Sequence, residues 1–372
     1  MRHLLAYIAI LIMATLSATA QETVPQKTRR LPKVIKWIKD YMDSSTVKGI
    51  DRNYLEVPKK EWTAELTTTL NHATLKMETD WSYDEISGLL TARTNNGIAT
   101  AVGIALAYRS YGIGYSKIVN GAGSNFSLSF SGSSYAINSN IKSYSSDTPE
   151  VSFRGIVEGE EFIESSKEKI NDPINVRTVF IDGYYLFNGK RFSYLAAYSP
   201  SLIQRRSSGS VMAGAMYYHA RANYESNENK DMLLAMQGVG KMKLSQVCIG
   251  AGYAYNWVPA RGWLVSAMAM PMLALYNKTK TYHYKFRYIG DPDIMPDVYD
   301  PDQWELASDE VEVNETPNRV KFNYDARIAI VHHWDNWFIR AYGHYNSFLF
   351  GQDNTSGRFT DWTIYASVGT RF

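Results

Sequence analysis

The last twelve residues, Asp361 to Phe372, alternate without a break. Trp362, Ile364, Ala366, Val368, Thr370 and Phe372 share one face of an extended chain, and Asp361, Thr363, Tyr365, Ser367, Gly369 and Arg371 share the other. Successive side chains of a strand point to opposite sides, so one face suits hydrocarbon and the other suits water. The same period recurs along the chain. Trp62, Ala64, Leu66, Thr68 and Leu70 oppose Thr63, Glu65, Thr67, Thr69 and Asn71. Phe126, Leu128 and Phe130 oppose three serines, and Val320 to Ile330 alternates in the same way. Trp337, Ile339 and Ala341 oppose Phe338, Arg340 and Tyr342 less cleanly. Segments near 98–108, 111–118, 135–143, 176–187, 190–206, 209–222, 242–257 and 262–276 also read as strands. Their lengths suit a tilted crossing of a bilayer.

Past the amino-terminal targeting segment, nothing offers the roughly 18 uninterrupted apolar residues of a spanning helix. The closest, Gly262 to Tyr276, is shorter and carries Pro271. Only helices and closed barrels satisfy every backbone polar group in hydrocarbon. A membrane-crossing form of this chain is therefore a barrel, and the alternative is a soluble extracellular β protein.

Composition narrows the function classes. A formal charge of +2 over 372 residues excludes a nucleic-acid binder that relies on bulk positive charge. A single cysteine, Cys248, excludes a disulfide scaffold and a Cys-rich metal site. It lies between Val247 and Ile249 in a strand pattern and reads as a small packing residue. No cofactor-binding motif occurs, and the strand glycines (Gly103, Gly112, Gly114, Gly250 and Gly252) form no phosphate-binding loop.

Residues 1–20 read as a signal peptide: Arg2 and His3, an apolar run from Leu4 to Leu16, then Ala18-Thr19-Ala20 before Gln21. Residues 21–60 form a separate periplasmic segment. Within it, Val34, Ile35, Ile38, Tyr41 and Met42 are spaced as on a short helix, which would close the barrel mouth, plug the lumen or lie at the interface. Residues 61–372 form the barrel. Tight turns are expected at Arg109-Ser110, Ser133-Ser134, Asn188-Gly189, Pro259 to Gly262 and Asp335-Asn336, and long loops at 144–173, 223–240 and 277–319. The fold expected is an all-β, transmembrane, antiparallel outer-membrane β-barrel of 12–14 strands with a short N-terminal helical segment. A strand within 72–94 would raise the number to fourteen. The short Asn188-Gly189 turn conflicts with a simple up-and-down alternation.

Three blocks carry a resemblance. Tyr184 to Ser210, Gly250 to Val258 with Gly262-Trp263-Leu264, and Val368 to Phe372 resemble an uncharacterised family of Bacteroidota envelope proteins, domain of unknown function 4421. It would cover roughly residues 31–372. Leu195 stands where proline is expected, which would straighten one bend. The resemblance implies an outer-membrane barrel and no known activity or catalytic residues. The terminal Phe372 also resembles the signal that the barrel-assembly machinery reads. That machinery and outer-membrane lipid and glycolipid are the expected partners.

The candidate site residues are charges. Arg221, Arg327, Arg340 and Arg371 are assigned to the face away from lipid, with Glu65 and Asp325. They make either a basic lumen that favours an anionic solute or an internal ionic network with Glu65, Asp325 and Asp361, in which Glu65 can reach Arg371. A second cluster, Asp291, Asp293, Asp297, Asp300 and Asp302, belongs to an acidic loop that could hold a cation. A membrane-embedded hydrolase would need a His–Ser pair with an orienting group. His344 and Ser347 face opposite ways, and His219 is followed on its own face by Arg221. The function expected is a non-enzymatic narrow channel or transporter for a small solute, with a barrel anchor for envelope assembly or partner binding through long acidic loops as the alternative.

Overall fold

A computed structural model describes residues 44–83, 86–95, 97–147, 150–157, 160–167, 169–223, 238–290, 301–315, 320–352 and 355–372, together with 37, 40, 41, 225, 226, 228, 230 and 233. Residues 1–20, where a signal peptide is expected, lie outside the described residues. The chain divides into two units, Met1–Tyr41 and Met42–Phe372. In the first, Trp37, Asp40 and Tyr41 are helical, and the Trp37 and Tyr41 rings stack at 6.0 Å.

The second unit is a barrel. Its strands in chain order are β1 (Leu55–Glu56), β2 (Trp62–Tyr83), β3 (Ile86–Asn95), β4 (Ala99–Tyr108), β5 (Tyr111–Ile118), β6 (Gly123–Ser131), β7 (Tyr135–Ser146), β8 (Glu150–Val157) and β9 (Glu160–Lys167). Then follow β10 (Ile174–Leu186), helix α1 (Tyr194–Tyr198), β11 (Ile203–Gln204), β12 (Ser208–Asn223), β13 (Val239–Trp257), β14 (Trp263–Tyr288), β15 (Trp304–Glu315), β16 (Lys321–Trp334), β17 (Trp337–Gln352) and β18 (Thr355–Arg371). Twelve of them, β2, β4, β5, β6, β7, β10, β12, β13, β14, β16, β17 and β18, pair antiparallel in that order, and β18 closes on β2 from Arg371↔Thr63 to Thr355↔Thr79. Closure removes the free edges that an open sheet would expose.

An even strand number puts Trp62 and Phe372 at one end. Short connections lie at that end: Arg109 and Asp335 take left-handed φ values of 51° and 48° in two-residue hairpins, as such turns require. The opposite end carries sheet rather than plain loop. β3, β8 and β9 extend from β2, and β15 extends from the upper half of β14, outside the barrel wall. The strand sought within 72–94 is thus β3, which joins this extension and not the barrel.

The outer face is apolar. Along β13, Val247, Ile249, Ala251, Tyr253, Tyr255 and Trp257 are exposed while the alternating Cys248, Ala254 and Asn256 are buried. The run from Val247 to Trp257, at about 3.4 Å per residue and a tilt near 40°, spans roughly 25 Å, the height of an outer-membrane apolar band. Trp257, Trp263, Trp334 and Trp337 crowd the terminal end of the wall, exposed, where amphipathic rings favour the interface. The exposed residues Ile364, Ala366 and Val368 of β18, with Phe372 just after it, belong to the expected hydrocarbon face.

One connection breaks the pattern and resolves the parity conflict. Asn188-Gly189 is not a hairpin turn, and residues 190–206 form no barrel strand. The chain from Phe187 to Ser207 folds inward. Phe192, Leu195, Ala196, Ala197 and Leu202 are all fully buried, and α1 packs on Leu264, Ala329 and Val331 from the inner faces of β14 and β16. Ser193 caps α1 by accepting Ala196 N–H at 3.1 Å. Gln204 accepts from Ser193 N–H and donates to the Arg191 and Arg206 carbonyls. Residues 44–56 lie across this inturned loop: Asp51 N–H donates to the Lys190 carbonyl at 2.8 Å, and β1 pairs with β11.

Candidate functional site

The interior begins with arginines on the last three barrel strands, and each grips the inturned loop. Arg327 (β16) donates to Tyr194 Oη at 2.6 Å and to Asp182 Oδ2 at 2.8 Å. It also reaches Tyr184 Oη at 2.5 Å and Asp325 Oδ1 at 3.3 Å. Tyr184 in turn donates to Asp325, and Asn138 donates to Asp182 and to Tyr194. Arg340 (β17) donates to Glu65 at 2.6 Å and to the Tyr198 carbonyl, and its guanidinium lies over Tyr342 and Tyr365. Arg371 (β18) donates through two nitrogens to the Pro200 carbonyl, at 3.2 and 2.9 Å, and one of them lies 2.9 Å from His333 Nδ1. Where residues 44–56 lie across the loop, Arg191 bonds Asp51 at 3.3 Å. The Asn53 N–H and Arg191 hold the Asp51 carboxyl below its usual range by stabilising the anion.

Above the loop the interior is filled. Tyr218 stacks on Phe348 at 4.2 Å, with Phe359 and Phe180 at their edges. Five methionines, Met212, Met216, Met268, Met270 and Met272, are buried in the same apolar cluster. A chain of amides runs along the inner faces of the neighbouring strands β13, β14, β16 and β17: Asn323 donates to Gln246 at 2.8 Å and to Cys248 Sγ, and Gln246 donates to Asn277 and to the Leu349 carbonyl. Lys142 pairs with Asp361 at 3.0 Å and donates to Thr363. The facing wall has small inward residues. A Cβ on Gly112 or Gly114 would lie within 2.7 Å of the Ser129 or Ser127 hydroxyl. That thin wall makes room for the contents.

The expected charges are thus distributed as follows. Arg327, Arg340, Arg371, Glu65 and Asp325 are inside. Arg340 meets Glu65, Arg327 meets Asp182 and Asp325, and Lys142 meets Asp361, so each interior carboxylate has a cation, as charges out of water require. Glu65 pairs with Arg340 and not with Arg371, whose side chain is taken by Pro200 and His333. Arg221 is a correction: it points outward. Met216, Tyr218, Ala220 and Ala222 of β12 are buried, so Arg221 stands exposed on the other face. Outward means hydrocarbon only within the apolar band, and Arg221 lies beyond it. Asp291, Asp293, Asp297 and Asp300 lie outside the described residues, and Asp302 bonds Lys230 at 2.8 Å. Among the described residues no group of His, Cys, Asp and Glu is arranged to hold a metal.

Sequence reasoning missed Asp182, Tyr184, Tyr194 and the loop carbonyls. A signal was available: Ser193 before Tyr-Leu-Ala-Ala-Tyr, followed by Ser199-Pro200, is a capped and terminated helical turn. A His–Ser contact also forms across strands, His219 Nδ1 to Ser245 Oγ at 2.9 Å. Among the described residues no carboxylate or amide holds the other ring nitrogen, so the orienting third group of a hydrolase is missing. A concavity of about 640 Å³, lined by Leu66, Ile104, Ile113 and Val368, lies on the outer apolar wall and reads as hydrocarbon-facing surface.

The family described as Domain of unknown function (DUF4421) matches residues 49–372, which include the inturned loop and all twelve barrel strands. The chain belongs to this family. No curated protein sequence matches it. Solved structures similar to it are outer-membrane barrels. The outer membrane protease OmpT from Escherichia coli is 7% identical over 87% of this chain and 100% of that one, with a TM-score of 0.39. The translocator domain of autotransporter NalP from Neisseria meningitidis is 10% identical over 91% and 95%, with a TM-score of 0.32. The toluene transporter TodX of P. putida is 8% identical over 89% and 99%, with a TM-score of 0.26. At these identities the likeness concerns the fold alone.

Proposed function

We propose that this DUF4421 protein is a non-enzymatic, internally sealed barrel of the bacterial outer membrane. Its membrane part anchors the sheet extensions β2/β3/β8/β9 and β14/β15 on the loop side for a partner or for envelope assembly. The observation that carries this reading is the filled interior. The arginine-held loop closes one end, the aromatic packing and the amide chain lie at one level above it, and Glu65, Asp182, Asp325 and Asp361 are each met by a cation. Such an interior offers a solute no continuous polar path.

A second reading, a narrow channel for a small solute, rests on the one-sided clamp. The loop's charged bonds run to β16, β17 and β18, whereas β4, β5 and β6 face it with Ala, Gly and Ser. Withdrawal of the loop from the arginines would open a route along that wall. Single-channel recording in a planar bilayer separates the two. Purified, heat-modifiable protein is expected to be silent and to stay silent when residues 190–206 are replaced by a short Gly-Ser linker, because the packing above the loop remains; opening by that replacement would favour the gated channel. Steady conductance by the unaltered protein would overturn the sealed reading.

A further inference from the structure

The outer face of the wall carries an arrangement that the fold itself does not require. In register across four neighbouring strands, Arg177 (β10) is directly opposite Arg221 (β12), Arg221 is opposite Lys243 (β13), and Lys243 is opposite Lys280 (β14). Arg177, Arg221 and Lys243 lie between buried residues and Lys280 follows the buried Thr279, so all four point outward. Lys278 stands one pair lower and Lys241 one pair higher on the same face. Like charges directly opposite one another in a sheet are unfavourable, yet four are aligned over three strand spacings, roughly 14 Å.

The carboxylates nearby relieve only the Lys280 end of the row. Glu315 of β15 pairs with Lys278 and Lys280 at one end, and Glu225 accepts from Tyr284. Lys243 donates to the Tyr282 hydroxyl at 2.8 Å, and the Lys241 and Lys243 ammonium groups both lie over that ring. Arg177 and Arg221 are exposed, and among the described residues neither has a carboxylate partner. The height of the row is the second observation. The outward residues just below it are His219, Ser245 and Lys278, then Tyr217, Val247 and Tyr276 at the edge of the apolar band. The cations therefore sit where the headgroups of the loop-side leaflet meet the barrel, and where water alone would leave them mutually repelling.

We propose that Arg177, Arg221, Lys241 and Lys243 bind the phosphate groups of a phosphorylated glycolipid of the leaflet on the loop side, its acyl chains lying on the apolar wall below. The paired guanidinium forks suit phosphate oxygens, and His219 and Ser245 offer neutral hydrogen-bonding groups one pair lower. The site is independent of whether the lumen is sealed or gated.

The test uses the full-length mature protein in detergent and native mass spectrometry of retained lipid. The probes are a bisphosphorylated lipid A, the same lipid dephosphorylated, phosphatidylglycerol and inorganic phosphate. The variants are Arg177→Gln/Arg221→Gln/Lys243→Gln and, as a control at the other end of the barrel, Lys59→Gln/Lys60→Gln. Heat-modifiable migration checks folding of each. The bisphosphorylated lipid is expected to be retained by the parent and the control and at least tenfold less by the triple variant, with inorganic phosphate failing to displace it. Equal retention by a folded triple variant, or equal retention of the dephosphorylated lipid or of phosphatidylglycerol, would overturn the proposal. Should the triple variant not fold, Arg221→Gln alone replaces it, with a loss of about threefold expected and no loss overturning the assignment.

Discussion

Replacing Arg327 by Met tests whether the interior network is a buried ionic cluster in the energetic sense. The Arg327 side chain is 6% exposed, and its partners Asp182 and Asp325 are 1% and 0% exposed. Methionine fills similar space without charge, so both carboxylates lose their cation where water cannot replace it. Asp325 keeps Tyr184 and His344, at 2.5 and 2.9 Å. Asp182 keeps only Asn138 among the described residues. Breaking one buried pair by removing a partner costs about 3–5 kcal/mol. Two carboxylates share this arginine, but one of them retains two donors, so a total near 4 kcal/mol is expected, roughly a thousandfold in the folding equilibrium. Removing the carboxylate charges as well, in Arg327→Met/Asp182→Asn/Asp325→Asn, leaves no unpaired ion and is expected to return to within about 2 kcal/mol of the parent. Urea unfolding in lipid vesicles, followed by tryptophan fluorescence and heat-modifiable migration, measures both. A single variant costing under about 1 kcal/mol, or a triple variant as unstable as the single, would refute the reasoning: either water reaches the cluster or it is held by something other than charge.

Three further outcomes are expected. Ile328 is outward and exposed near the middle of β16, so Ile328→Arg should cost about 2–4 kcal/mol in vesicles, while Ser245→Arg, in the headgroup zone, should cost about 0–1; equal costs would remove the assigned bilayer boundary. Hydrogen bonds from Lys278 and Lys280 lower the Glu315 pKa. Its contribution to β14–β15 pairing is therefore present above the unfolded carboxyl pKa and lost as pH falls through the lower folded value. Protection of β15 amides, taken relative to the intrinsic exchange rate at each pH, should fall on acidification in the parent, and Glu315→Gln should already show the lower protection at neutral pH. A Cβ on Gly189 would lie 2.3 Å from the Ser133 carbonyl oxygen, so Gly189→Ala should destabilise by about 1–3 kcal/mol through backbone displacement at the start of the inturned loop, read as a lower urea midpoint.

The barrel itself was legible along the chain. Period-two alternation is a local property: each residue's partition between hydrocarbon and the interior depends on its own side chain and on the parity of its neighbours. Ile364, Ala366 and Val368 therefore declared their face without any knowledge of β17 or β2. The hairpins at Arg109-Ser110 and Asp335-Asn336 were local as well. What the tertiary structure decided was long-range or depended on depth. Arg327 meets Asp182 across 145 residues and Arg340 meets Glu65 across 275, separations over which no spacing rule operates. The chain from Phe187 to Ser207 carries enough apolar residues to read as strand, and only the space left by the Gly, Ala and Ser wall, with arginines waiting on the other side, makes the interior its better solvent. Arg221 shows the remaining gap. Alternation assigns a residue to one of two faces, but whether the outward face meets acyl chains or headgroups is fixed by its height in the bilayer, and that height is set by the register of all twelve strands together.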